Sequence, residues 1–272
     1  MVITIERKDD MTTSETIKTM RIGVCPFYPV PPEVEESRRA DWLIERSAEL
    51  GCTALQPGRV PTDPDGLKRV RELAESKNVG LETYARGIWG LSGTDAKASR
   101  EQLLQSIKVA KGLGAKIIRT GYGRLNVKMS RFNKEIPLAE HLGHLIENLK
   151  VAAPIVEDQG ILLAIENHCD FMGTQMAEVF DAVDSPNVGA ALDTANGYTV
   201  FCDPMDDARA LARYTITTHM KDMKMIDFHE RGRIPMIPVG CALGDGNVGI
   251  AEVVKVLAEE SPHAEGLFLI IE

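Results

Sequence analysis

The chain has 272 residues, a formal net charge of −9 and a hydrophobic content of 44%. That length and apolar content suit one α/β barrel, for which about 250 residues is typical. No basic cluster is present to replace phosphate counterions, which disfavours a nucleic-acid substrate, and no apolar run approaches the roughly 20 residues that span a membrane.

Residues 1–19 are polar and mixed in charge, without the apolar stretch or cleavage site of a signal peptide. They are expected to form a flexible N-terminal tail ahead of a single domain over 20–272. Eight short apolar runs follow: Arg21–Cys25, Thr53–Gln56, Gly80–Tyr84, Lys116–Arg119, Ile161–Glu166, Val188–Asp193, Tyr214–His219 and Gly266–Glu272. Most are rich in Ile, Val and Leu with little alternation, as parallel strands covered on both faces are.

Between the runs, apolar residues recur at helical spacing. Leu142, Leu145, Ile146 and Leu149 form one stripe; Met176, Val179, Phe180 and Val183 form a second; Ile250, Val253, Val254 and Leu257 form a third. Asp95 and Thr174 are candidate N-caps. Gly51, Gly114 and Gly160 stand where a left-handed residue ends a helix before a strand.

Eight alternating units predict an α/β fold, a (β/α)8 TIM barrel. The alternative, an open doubly wound sheet, would carry a phosphate-cradling glycine loop after the first strand, but that strand runs into Pro26, Pro29, Pro31 and Pro32. No nucleotide cofactor is expected. The last strand ends at Glu272, where the sequence also ends, so the barrel lacks its last helix in this sequence; either the sequence is cut short, or a partner or the N-terminal tail covers that strand. An uncovered strand predicts assembly, as a homo-oligomer or with another subunit. The cysteines (Cys25, Cys52, Cys169, Cys202 and Cys241) are odd in number and contain no CxxC, which argues against a disulfide framework or thiolate zinc site and for a cytoplasmic location.

The chemistry lies at strand ends. Leu162-Leu163-Ala164-Ile165 closes on Glu166, Ala190-Ala191-Leu192 on Asp193, Thr217-Thr218 on His219 and Leu269-Ile270-Ile271 on Glu272. Burying an ionisable group after an apolar strand is costly unless it is paired or metal-bound, and strand ends are where barrels of this kind carry active sites. Asp193 lies 27 residues after Glu166, His219 26 after that, and Glu272 53 later. The first two intervals match one strand–helix–strand step; the third must hold an extra loop, expected over Met223–Gly249. Any one such residue is more often a cap or a solvated group, but four at successive strand ends are hard to dismiss. Three carboxylates and one imidazole suit one divalent ion, manganese first and magnesium or cobalt next, better than structural zinc.

The sequence resembles the xylose-isomerase-like TIM barrel superfamily, in particular its sugar phosphate isomerase/epimerase branch. The residues that carry the likeness are Ile165-Glu166-Asn167-His168, Leu192-Asp193-Thr194-Ala195-Asn196, His219-Met220-Lys221-Asp222, the Gly244-Asp245-Gly246 loop and Ile271-Glu272. The resemblance implies metal ligation by Glu166, Asp193, His219 and Glu272, with Glu166 and Glu272 also the catalytic pair. It implies proton abstraction beside the carbonyl of a sugar or keto-polyol through a metal-stabilised enediolate.

His168, Lys221, Arg119, Glu82, Asn196 and Trp89 are candidate substrate contacts. For His168 and Lys221 a structural hydrogen bond or a solvated side chain competes equally, Arg119 has the alternative of pairing with an acidic neighbour, and the loop residue Trp89 that of packing. His141 and His144 are expected to face solvent, and His229 and His263 have no assigned role. Three other readings stand beside the isomerase/epimerase. One is a lyase, inosose dehydratase-like or 3-oxo-glycoside-cleaving, using the same site. An abasic-DNA endonuclease is opposed by the net charge and by only six histidines. A non-catalytic subunit of a larger complex is supported only by the missing last helix.

Overall fold

In the computed structural model, residues 11–25, 29–123, 127–168, 170–227 and 236–272 are described. Eight parallel barrel strands wind in chain order: β1 (Arg21–Val24), β2 (Ala54–Leu55), a third strand in two pieces, β3 (Gly80–Leu81) and β4 (Thr83–Tyr84), then β5 (Ile117–Gly121), β6 (Leu162–Glu166), β7 (Val188–Asp193), β8 (Thr215–Met220) and finally β11 (Phe268–Ile271). The hydrogen-bonded order is β3-β2-β1-β11-β8-β7-β6-β5-β4. Because β3 and β4 are halves of one strand broken at Glu82, β3 pairing with β2 and β4 with β5 closes the cylinder. The barrel expected from the eight apolar runs is therefore formed.

Seven helices follow the first seven barrel strands among the described residues: α2 (Arg39–Glu49), α3 (Pro64–Ser76), α4 (Ala96–Gly112), α5 (Leu138–Asp158), α6 (Gly173–Val183), α7 (Pro204–Leu211) and α8 (Ile250–Glu260). Gly51, Gly114 and Gly160 hold φ values of +80°, +71° and +63°, as their position between helix and strand required. Asp95 is the N-cap residue of α4, whereas α6 begins before Thr174, with Met172 at its N-cap. No helix is long and apolar enough to cross a membrane among the described residues.

Two expectations are corrected. Part of the proposed N-terminal tail is ordered: Thr12 caps helix α1 (Thr13–Thr19) through a reciprocal pair with Glu15. This helix packs on α8, Thr13 Oγ1 donating to Glu259 and Thr19 Oγ1 accepting from the Gly266 amide. The second concerns the long loop after β8. Strands β9 (Asp222–Asp227) and β10 (Met236–Cys241) pair there as an antiparallel hairpin, Asp222 opposite Cys241. His229, like Cys169, lies outside the described residues.

Side chains alternate between two cores. Outward residues such as Leu163, Ile165 and Leu192 join the large cluster between sheet and helices, with Leu149, Met176 and Phe180. Inward residues Ala164, Ala191 and Ile216 fill the barrel, with Ile117 and Leu162 against them. Since strands repeat every two residues, Glu166 and Asp193 point inward like Ala164 and Ala191 two positions earlier. At Gly23 the interior is too tight for any side chain, because a Cβ would lie 2.7 Å from the Ala54 carbonyl oxygen. The outer face of the β1–β11 seam is the least covered: Ile22 and Ile271 are 53% and 37% exposed.

Candidate metal centre

Register brings the strand-end residues to one level. Asp193 is opposite His219 across β7 and β8, Glu166 is opposite Ala191 across β6 and β7, and the Glu272 amide donates to the Met220 carbonyl. One potential ligand atom each from Glu166, Asp193, His219 and Glu272 lies within 4.8 Å of all the others. Glu166, Asp193 and His219 are buried, and Glu272 is nearly so.

Two short clamps hold these strand ends where the ladder runs out. Asn167 Nδ2 donates to the Asp193 carbonyl at 3.0 Å, and the Asp193 amide donates to Asn167 Oδ1 at 2.7 Å. Thr194 repeats the device one strand on, donating to the Lys221 carbonyl at 2.6 Å and accepting from the Lys221 amide at 2.8 Å. Sequence reasoning missed both, although each follows a candidate ligand by one residue. Asp222 was missed as well. Its buried carboxylate accepts from the amides of Met223, Gly244, Gly246 and Val248 at 2.9, 2.9, 3.0 and 3.3 Å, and so fixes the Gly244-Asp245-Gly246 loop beside the site.

Around the cluster the contacts are charged. Asp193 Oδ1 accepts from the amides of Ala195 and Asn196, while Oδ2 accepts from Lys221 Nζ at 2.8 Å. Lys221 Nζ also stands 2.9 Å from Glu272 Oε2. Burial raises the Glu166 carboxyl, but His219 and Arg119 outweigh it and hold it below the ordinary range. Glu272 is likewise pushed up by burial and pulled further down by His219 and Lys221. For His219 burial works downward, yet the Glu166 and Glu272 carboxylates lift its imidazole to about 9.

The residues fit a divalent ion. His219 Nε2 is buried without a hydrogen-bond partner, and Nδ1 meets carboxylate oxygens, Glu272 Oε2 at 2.9 Å and Glu166 Oε1 at 3.7 Å. An orphaned nitrogen at such depth, beside clustered carboxylates, is costly unless something coordinates it. Three carboxylates with one imidazole form a hard, mixed O/N set of the kind that holds magnesium, manganese or cobalt.

The remaining candidates separate. Asn196 and Lys221 are in the cluster, Asn196 Nδ2 standing 3.5 Å from Glu166 Oε1. Arg119 is buried and its Nη1 donates to Glu166 Oε2. His168 is half-buried beside Gly121 and makes no side-chain hydrogen bond among the described residues. Trp89 Nε1 donates to the Gly121 carbonyl at 2.7 Å, and its ring stands edge-on to Tyr122. Glu82 does not face the open mouth. It is 0% exposed, with both oxygens occupied by Gln56 and Thr217. Nor do the α5 histidines face solvent: His141 is buried with Nδ1 2.9 Å from the Tyr122 hydroxyl, and His144 Nε2 is 3.1 Å from the Trp89 carbonyl.

The family described as the xylose isomerase-like TIM barrel matches residues 44–272. The chain belongs to this family. Among its relatives, 3-oxo-isoapionate decarboxylase from Pectobacterium atrosepticum is 23% identical over 208 residues, which span 75% of this chain and 67% of the relative. D-psicose 3-epimerase from Clostridium cellulolyticum H10 shares the fold with a TM-score of 0.67 and 16% identity, over 93% of this chain and 84% of the other. A probable 3-DHS dehydratase involved in petrobactin synthesis from Bacillus anthracis superposes with a TM-score of 0.66 and 15% identity, over 93% and 92%. This xylose isomerase-like barrel therefore has epimerases, a dehydratase and a decarboxylase among its neighbours, and it carries a cluster that could hold a metal ion.

Proposed function

We propose that this family member is a divalent-metal-dependent isomerase or epimerase of a sugar or keto-polyol, working by proton removal next to the substrate carbonyl. The observation that carries the reading is the convergence of Glu166, Asp193, His219 and Glu272 within 4.8 Å, with two glutamates among them. Glu166, Asp193, His219 and Glu272 would hold a divalent ion, manganese in the first instance, which would supply positive charge to stabilise the negative charge that develops beside the carbonyl as the α-proton leaves. Glu166 and Glu272 come from β6 and β11, with β7 and β8 between them, so they address the substrate from different parts of the wall. Both carboxyls are held below their ordinary range by His219, with Arg119 beside Glu166 and Lys221 beside Glu272, so both are in the ionised form a base requires, while the same cations weaken them as proton acceptors. One glutamate takes the α-proton and passes it to solvent, and the other, after taking up a proton from solvent, delivers it to the second face or to the neighbouring carbon. Lys221, Asn196, His168 and Arg119 line the approach as contacts to the substrate or to the glutamates, Trp89 covers it, and Glu82 acts from beneath.

A lyase reading is favoured by one observation, the decarboxylase relative that covers 75% of this chain. Loss of CO2 or of a β-leaving group beside a carbonyl passes through the same enediolate-type charge, so the ligand set serves both outcomes. Metal analysis followed by solvent deuterium incorporation across ketoses, inososes, 3-keto-glucosides and 3-keto sugar acids tests the proposal. Incorporation without loss of water, CO2 or aglycone is expected for the isomerase; incorporation accompanied by such loss supports the lyase. Metal-loaded protein that exchanges no substrate proton in the panel counts against both.

A further inference from the structure

Beneath the candidate metal centre a chain of buried hydrogen bonds crosses the barrel interior. Thr217 Oγ1 on β8 donates to Glu82 Oε2 at 2.6 Å, and Gln56 Nε2 donates to Glu82 Oε1 at 2.9 Å. Gln56 Oε1 accepts from Arg119 Nη2 at 3.0 Å, and Arg119 Nη1 donates to Glu166 Oε2. Gln56, Glu82, Arg119 and Glu166 are 6%, 0%, 8% and 6% exposed, so water does not substitute for any of these bonds.

The order of donors and acceptors along this chain is not interchangeable. A guanidinium only donates, so the Gln56 atom that meets Arg119 must be the carbonyl oxygen, whereas Glu82, whose carboxyl burial pushes up, offers Gln56 Nε2 an acceptor oxygen in either protonation state. Gln56 bridges the two because its amide has one end of each kind. Turned over, it would set its NH2 against the Arg119 guanidinium, donor against donor. Glu82 therefore fixes the amide, the amide fixes one arm of the Arg119 fork, and only the other arm is free for Glu166. Glu166 Oε1 is left directed at the cluster, 3.7 Å from His219 Nδ1.

We infer that Gln56 and Glu82 are positioning residues for Glu166: by holding one arm of Arg119 they prevent it from closing bidentately on the Glu166 carboxylate, and so keep Oε1 available to the ion and the substrate. The inference rests on the proposed function for its catalytic consequence but not for its metal-binding consequence. Without the Gln56 carbonyl, Arg119 can turn both arms onto Glu166, a geometry that guanidinium and carboxylate favour, and the ion must then compete with it.

The test uses the full chain with Mn2+ as the probe, measured by calorimetric titration, with kcat and KM for α-proton exchange determined separately at saturating Mn2+. Gln56→Met is expected to weaken Mn2+ binding by roughly 10–100-fold, the usual consequence of removing a group that orients a metal ligand. Its kcat is expected to fall while KM stays near the wild-type value. Glu82→Gln keeps an acceptor toward Gln56 and is expected to bind Mn2+ as wild type does, whereas Glu82→Leu is expected to follow Gln56→Met. If Gln56→Met fails to fold, Gln56→Asn, whose amide is too short to reach both partners, is expected to show the same loss. A folded Gln56→Met or Gln56→Asn protein with wild-type Mn2+ affinity would overturn the inference. Wild-type protein that binds Mn2+ but exchanges no substrate proton refutes the proposed function alone, because the affinity comparison among the variants still decides the role of Gln56.

Discussion

Lys221 Nζ lies 2.8 Å from Asp193 Oδ2, and the same ammonium stands 2.9 Å from Glu272 Oε2. A cation supplied by the chain thus bridges two of the four residues that converge at the candidate metal centre. Burial alone would lower the lysine, but these two carboxylates hold its ammonium above the usual range, so it stays charged at any working pH. An incoming divalent ion meets a positive charge already in place.

The bridge gives a prediction with a sign. Lys221→Met removes the competing charge and is expected to tighten Mn2+ binding by about tenfold, or 1.4 kcal/mol. Weaker binding in this variant, measured by titration, would show that the ammonium organises the carboxylates more than it repels the ion.

Replacing the candidate ligands themselves is expected to act in the opposite direction. His219→Ala removes the sole imidazole of the cluster and should weaken Mn2+ binding by more than about tenfold. Glu166→Gln keeps an oxygen at the site and is expected to retain most of the metal while losing proton exchange. Full metal content and full activity in both variants, read by elemental analysis and deuterium incorporation, would remove the case for this cluster.

The pH dependence follows from His219. Its imidazole is lifted to about 9, so below that pH a proton must leave before the ring can coordinate. Apparent Mn2+ affinity is expected to rise by about tenfold per pH unit toward that value and then level off, with proton release visible in buffers of different ionisation enthalpy. In the metal-free protein the sign is reversed. The raised value stabilises the fold fully below the ordinary 6.5, and this contribution is lost as pH rises through about 9. Chelated protein should therefore melt at a lower temperature on the alkaline side, by scanning calorimetry.

A fourth prediction concerns Asp222, on which four backbone amides converge. Asp222→Ala leaves them without their acceptor and is expected to cost about 3 kcal/mol in urea unfolding. Gly246→Ala should be comparably damaging, because a Cβ there would lie 2.0 Å from Asp222 Oδ1. Wild-type unfolding midpoints in both variants would mean that the loop is not anchored through this carboxylate.

The sequence by itself determined the barrel and the four residues at its centre. Both are written in local patterns: apolar runs of strand length, helical spacing between them, and an ionisable residue closing each late run. Asn167, Thr194 and Gln56 sit in the same strand-end positions, and the rule that found Glu166 would have found them had polar as well as charged residues been included. Capping at Thr12 was also local, but the bonds that tie α1 to Glu259 and Gly266 join opposite ends of the chain.

Tertiary structure alone decided which charged strand ends join the cluster and which brace it. Glu82 and Glu166 look alike in sequence, each a glutamate after apolar residues. In the barrel one is sealed by Gln56 and Thr217, while the other offers an oxygen to the cluster. His141 was likewise decided by Tyr122, which takes it out of solvent. The physical reason is range. A strand or helix follows from neighbours a few positions apart, but a buried charge is settled by its partners, and Thr217 reaches Glu82 from 135 residues away.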